Sequence, residues 1–138
     1  MYNIEFAIKV TQLPTWTWTN VFHFTADKDN GNYGDRIPAL FIHKDGHFQI
    51  CSAVNGEVNY HIDFYFKLGK EYQIAIKQYE DMGKYFHEII IDDVVKDKIQ
   101  NTQPQNFPNV KLYASNPWII GFFSDLGNFC KVNIVGAS

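Results

Sequence analysis

The densest group of oxygen-bearing side chains in this chain is Asp27-Lys28-Asp29-Asn30-Gly31-Asn32-Tyr33-Gly34-Asp35-Arg36. Hard cations such as Ca²⁺ take roughly six to eight oxygens from carboxylates, amides and backbone carbonyls. Asp27, Asp29 and Asn30 offer such oxygens at close spacing, and Gly31 and Gly34 let the chain wrap. No Glu closes the loop in the manner of an EF-hand. The competing reading is a solvated loop, because Asn, Asp and Gly also suit turns. Asp35 and Arg36 then lead into Ile37-Pro38. There a guanidinium could meet a carboxylate or a sugar hydroxyl, or it could clamp the loop internally. The second use is the commoner need of a long loop.

Aromatic rings form a second group. Sugar rings stack on exposed aromatic faces, and Trp16, Tyr33 and Trp118 lie beside turns. Trp16 and Trp18 alternate in Thr15-Trp16-Thr17-Trp18-Thr19, which places them on one face, with Trp16 the better candidate for exposure. Asn55 opens Asn55-Gly56, the strongest hairpin dipeptide in the chain. The five histidines lie in or beside strands. His43 and His47 flank a turn and could approach each other, but the sequence places no further zinc ligand beside them. Surface strand positions account for them. No serine sits in a Gly-X-Ser-X-Gly elbow.

Catalytic carboxylates are also missing. A retaining glycosidase needs two of them roughly 5 Å apart. The nearest run, His87-Glu88-Ile89-Ile90-Ile91-Asp92-Asp93, reads as a strand and its turn. Cys51 and Cys130 are far apart in sequence, and a bridge would close a loop of about 80 residues worth roughly 4 kcal/mol in the chain-entropy model. Two buried free thiols are the favoured reading, since free Cys is among the most buried residue types and a domain of this size needs no staple.

These residues must be held by strands. Ile4, Phe6, Ile8 and Val10 alternate with Asn3, Glu5 and Lys9, which predicts a half-buried strand over Tyr2–Val10. Similar runs follow at Thr17–Ala26, Ile37–His43, Phe48–Val54, Val58–Phe66, Glu71–Tyr79, Tyr85–Ile91 and Val94–Ile99. The series closes with Val110–Ala114, Trp118–Phe123 and Phe129–Val135. Gln100–Pro108 carries Pro104 and Pro108 and reads as a surface loop. About eleven short strands at regular spacing, with no helical period, predict a two-sheet antiparallel sandwich or jelly roll. The first and last strands are expected to be neighbours.

A chain of 138 residues fits one domain over 1–138 with a real core. The aromatic share of 17% suits strands and a packed sandwich. A net charge of −3, with no two basic residues adjacent, argues against a nucleic-acid partner. No apolar run reaches the roughly 18 residues of a membrane-spanning helix. The N-terminus, MYNIEFAIKV, lacks the apolar run of a signal peptide, which suggests a domain excised from a longer chain.

Four segments carry a resemblance. They are Trp18-Thr19-Asn20-Val21-Phe22-His23-Phe24, Asn32-Tyr33-Gly34-Asp35-Arg36-Ile37-Pro38-Ala39, Ile50-Cys51-Ser52-Ala53-Val54-Asn55-Gly56, and Val110-Lys111-Leu112-Tyr113-Ala114-Ser115-Asn116-Pro117-Trp118. In this order they resemble the concanavalin A-like, laminin G-like jelly-roll modules of extracellular and cell-surface proteins. The resemblance implies an all-β, two-sheet antiparallel jelly-roll sandwich of concanavalin A-like type. Such modules often bind Ca²⁺ at the sandwich rim, which implies Ca²⁺ for the loop of Asp27, Asp29 and Asn30. The expected function is non-catalytic recognition of a glycan or an extracellular protein through rim residues Trp16, Tyr33, Asp35, Arg36, Asn55 and Trp118. The alternative is a structural or assembly module, with a homo-oligomer as its natural form. A glycoside hydrolase is disfavoured by the missing carboxylate pair. An extracellular or cell-surface location follows from the same resemblance.

Overall fold

The computed structural model describes residues 2–26, 31–104 and 110–113, together with the backbone of the strand at 130–135. Ten strands occur among the described residues, with no helix. They are β1 (Tyr2–Lys9), β2 (Trp18–Thr25), β3 (Ala39–His43), β4 (His47–Val54), β5 (Glu57–Tyr65), β6 (Glu71–Asp81), β7 (Lys84–Ile91), β8 (Val94–Gln100), β9 (Lys111–Tyr113) and β10 (Cys130–Val135). Each predicted strand up to Val110–Ala114 is present within a few residues. Trp118–Phe123 lies outside the described residues.

The strands form two antiparallel five-stranded sheets. The first has the order β10-β1-β6-β7-β8, and the second β5-β4-β3-β2-β9. The chain is an all-β, two-sheet sandwich. Its first and last strands pair as expected, with Ile4 opposite Ile134 and Phe6 opposite Val132.

Alternation decides which side chains meet between the sheets. From the first sheet come Ile4, Phe6, Ile8, Ile74 and Ile76, and from the second Phe22, Leu40, Ile42, Phe48 and Ile50, all buried. Phe6 and Phe22 meet across the gap, edge to face, with ring centroids 5.1 Å apart. Full burial of side chains of this size stabilises by roughly 1.5–3 kcal/mol each, which makes this layer the main term holding the sheets together.

Tight turns fix the register. Asn55-Gly56 has φ of 53° and 79°, and Asp92-Asp93 has 50° and 63°. Positive φ at both central residues is what a type I′ hairpin demands, and Asn and Asp tolerate it better than most residues. A bulge between Asn20 and Phe22 shifts the pairing of β2 with β3, so the odd residue is absorbed and both ends of β2 keep their proper face.

Candidate functional site

The outer face of the second sheet is built in rows. One row runs Tyr65, His47, His43, Trp18 across β5, β4, β3 and β2. Trp18 meets both imidazoles edge-on, with centroids 4.6 Å from His43 and 5.5 Å from His47. The imidazoles are themselves stacked, 5.0 Å apart and 13° from parallel. Tyr65 lies 5.1 Å from His47 and is 67% exposed. The next row holds Asp63, Gln49, Phe41 and Asn20, and the one beyond it His61, Cys51, Ala39, His23 and Tyr113. Four of the five histidines therefore share this face.

The hairpin between β3 and β4 positions the first row. Its loop is Lys44-Asp45-Gly46, closed by the Gly46 N–H donating to the His43 carbonyl at 3.0 Å, with Gly46 at φ 98°. A three-residue loop with glycine in its last place is a common hairpin solution. Asp45 is thereby turned back over both rings. Its Oδ1 lies 2.5 Å from His47 Nδ1 and 3.0 Å from His43 Nδ1. Desolvation pushes the Asp45 carboxyl up, but hydrogen bonds and positive charge from His47 and His43 outweigh it and hold the group below its ordinary range. His47 Nε2 faces Asp63 Oδ1 at 3.6 Å. His43, Asp45 and His47 present ligand atoms all within 4.8 Å of one another, a group able to hold a metal ion.

A second constellation lies further along β5. The Arg36 guanidinium donates to Asn59 Oδ1 at 3.0 Å and lies 4.5 Å from the centre of the Phe41 ring. His61 Nδ1 lies 3.0 Å from the Asn59 carbonyl. A carbonyl oxygen only accepts, so Nδ1 carries the proton of the neutral ring and Nε2 is left as the basic nitrogen. Asn59 thus anchors an exposed imidazole and a guanidinium on the same sheet face.

The sequence-predicted residues divide. Arg36 belongs to the outer face. Asp35 is fully buried, and its Oδ2 accepts the backbone N–H groups of Gly31 at 2.7 Å and Asn32 at 2.8 Å. Its own carbonyl accepts from His23 Nε2 at 2.6 Å, which ties the loop to β2. Asn55 is equally engaged. Its Nδ2 donates to the Gln100 carbonyl and its Oδ1 accepts from both the N–H and the hydroxyl of Thr102. The Tyr33 hydroxyl donates to the Gln103 carbonyl at 2.9 Å. These three residues organise the opposite rim of the sandwich. Trp16 is 60% exposed, as expected, but precedes β2 rather than lying in it. Asp27, Asp29, Asn30 and Trp118 lie outside the described residues. So does the Cys130 side chain, while Cys51 is buried with Sγ directed at the Ala39 carbonyl.

Sequence reasoning missed Asp45, Asp63, Asn59 and His61. Asp45 reads locally as a turn former, which it also is. The signal that could have found it is His-x-Asp-x-His across a glycine hairpin, where pairing brings His43 opposite His47.

No protein-family model matches the chain, and no curated protein matches it. Among solved structures, a family 7 alginate lyase in complex with substrate matches over 99% of this chain, at 14% identity and a TM-score of 0.47. The chain spans 62% of the length of that structure. At this identity the likeness concerns the sandwich fold alone and transfers no residue. It does require a correction. The expected non-catalytic binding module and its structural or assembly alternative rested on a resemblance of fold, and the expectation that the chain is no enzyme rested on that together with the missing carboxylate pair and nucleophile elbow. The matched sandwich is a lyase captured with its substrate. One such architecture hosts binding and catalysis alike, so the step from fold to non-enzyme fails.

Proposed function

We propose that the outer face of the second sheet is a polysaccharide-acting site that cleaves an acidic glycan by proton transfer. The observation that carries this reading is the shared anchoring of Arg36 and His61 by Asn59. A hydrogen on a carbon next to a carboxylate is abstracted only when the negative charge that builds up on the carboxylate is neutralised. A guanidinium does this by charge-assisted hydrogen bonds. Imidazole, with an ordinary pKa near neutrality, is the usual side chain for taking the proton. In this reading Arg36 holds the uronate carboxylate, His61 Nε2 accepts the proton, and the bond from the neighbouring carbon to the leaving oxygen breaks as the new double bond forms, the leaving oxygen taking a proton from water. Trp18 and Tyr65, both substantially exposed, supply stacking faces further along the sheet.

Ca²⁺ at Asp27, Asp29 and Asn30, a laminin G-like ancestry and an extracellular location belong to the same proposal. The test incubates the protein with uronate-containing and neutral polysaccharides, following the ultraviolet absorbance of new double bonds and the release of reducing ends. Cleavage of a uronate polymer is expected, with His61→Asn lowering kcat by roughly 10²–10⁴-fold, the usual worth of a general base. Arg36→Lys is expected to lose activity as well, because an ammonium cannot reproduce the planar fork. Absence of both signals on every polymer overturns the reading.

A further inference from the structure

We infer that His43, Asp45 and His47 form a binding site for a divalent transition metal of the zinc class, distinct from the Arg36–Asn59–His61 constellation and independent of the cleavage reading. Two imidazole nitrogens and one carboxylate oxygen are the donor set of zinc, whereas calcium asks for oxygens throughout. The spacing suits it. Bonds of 2.0–2.1 Å in a tetrahedral site hold ligand atoms about 3.3 Å apart. His43 Nδ1 already lies 3.0 Å from Asp45 Oδ1, His47 Nδ1 at 2.5 Å from the same oxygen need only draw back slightly, and all three ligand atoms fall within 4.8 Å of one another.

The hydrogen bonding of the turn points the same way. In the neutral ring His43 Nδ1 accepts the Asp45 backbone N–H at 3.1 Å and so has a lone pair to offer a metal. The same nitrogen faces the Asp45 carboxylate at 3.0 Å. When the ring carries a proton at that nitrogen, the carboxylate accepts it instead. A cation between Nδ1 and the carboxylate takes the place of that proton. His47 adds a separate mark of a metal ligand. While its Nδ1 faces Asp45, its Nε2 faces a second carboxylate, Asp63, at 3.6 Å. A carboxylate on the far nitrogen is how ligating histidines are oriented and made more basic. Trp18 and Tyr65 flank the rings and shield the pair from bulk water on two sides. Three protein ligands leave a coordination position for water or a bound molecule.

The test is a calorimetric titration of the tag-free protein with Zn²⁺, paralleled by Co²⁺ absorption spectra and a Ca²⁺ control. The expected result is one equivalent of Zn²⁺, a tetrahedral Co²⁺ spectrum, and Zn²⁺ binding left unaltered by saturating Ca²⁺. Asp45→Asn and His43→Gln, both in a solvent-facing hairpin, are expected to weaken Zn²⁺ at least tenfold while the circular dichroism stays unchanged. Asp63→Asn is expected to weaken it by roughly 10–100-fold, the usual cost of losing such a partner. His61→Asn and Arg36→Lys should bind Zn²⁺ like the parent, which separates failure of this site from failure of the cleavage reading. Absence of binding, or affinity unaltered in Asp45→Asn, shows that only a proton bridges these groups and overturns the proposal.

Discussion

The two ends of the second sheet are equally polar and differ in what their polar atoms do. At the end holding the β4–β5 turn, Asp35, Asn55 and Asn101 spend their side chains on backbone groups of neighbouring loops. At the β3–β4 end, His43, Asp45 and His47 converge on one another, with one backbone donor among their partners in the described residues. Among the described residues, Asp and Asn at the loop-rich end thus serve the backbone. Those residues are the ones best able to stand in for missing secondary-structure bonds, and a long loop consumes them. Histidines facing a carboxylate across a short hairpin do no such structural work, since the hairpin is already closed by its own backbone.

A third kind of polar residue sets the largest expected effect. His87 is fully buried between the sheets, against Tyr2 and Tyr60, and neither ring nitrogen has a hydrogen-bond partner among the described residues. Desolvation pushes its pKa from 6.5 down to about 4. The unfolded chain therefore takes up a proton at His87 below pH 6.5 that the folded chain refuses until about pH 4. Stability falls across that window as pH drops, by on the order of 3 kcal/mol at 1.36 kcal/mol per unit. Denaturant titrations between pH 7 and 4 should show this loss in the parent and a much smaller one in His87→Leu. Asp45, held below the ordinary carboxylate range, acts at lower pH, as its folded-state advantage is lost on protonation. An acid loss unchanged in His87→Leu would break the contrast between the buried histidine and the outer-face pair.

Much of this architecture was legible in the chain. Ile4-x-Phe6-x-Ile8 and Tyr72-x-Ile74-x-Ile76 assign their core faces by period alone, and the structure buries those residues. Asn55-Gly56 marks its turn because few other residues accept that backbone. What was not legible was closure over distance. Nothing local to Asp35 says that its carboxylate folds back on Gly31 and Asn32, or that Asn55 reaches Thr102. The same limit hid His61, whose significance depends on Arg36 arriving from a loop on another part of the sheet. The bulge in β2 adds to this. It breaks strict alternation in Thr19-Asn20-Val21-Phe22-His23, all of which are buried, so period could not assign His23 to the outer face.

The opposite rim supplies the intermediate effect. Asp35→Ala removes the acceptor from two loop N–H groups at once. Both belong to exposed residues that water can reach, which limits the loss to about 2 kcal/mol. Urea denaturation should show that fall, while Zn²⁺ affinity at the other end of the sheet is unaltered. A coincident loss of metal binding would mean that the two ends are coupled through β3 and β4 rather than independent.

The smallest expected change in stability is also the sharpest form of the comparison. His43→Ala removes an outer-face ring from a half-buried position, and the turn keeps its Gly46-to-His43 backbone bond, because the acceptor is a main-chain carbonyl. Surface substitutions of this kind stay within about 0.5 kcal/mol of the parent. In the metal-free protein it should therefore be close to neutral. With Zn²⁺ present the parent should gain stability by mass action and the variant should not, because an ion that binds only the folded state raises its stability in proportion to occupancy. A residue near neutral without metal and costly with it is one whose side chain serves a ligand. If His43→Ala were destabilising in the absence of any metal, the His43–Asp45–His47 group would be a structural clamp like Asp35, and the two ends of the sheet would be alike after all.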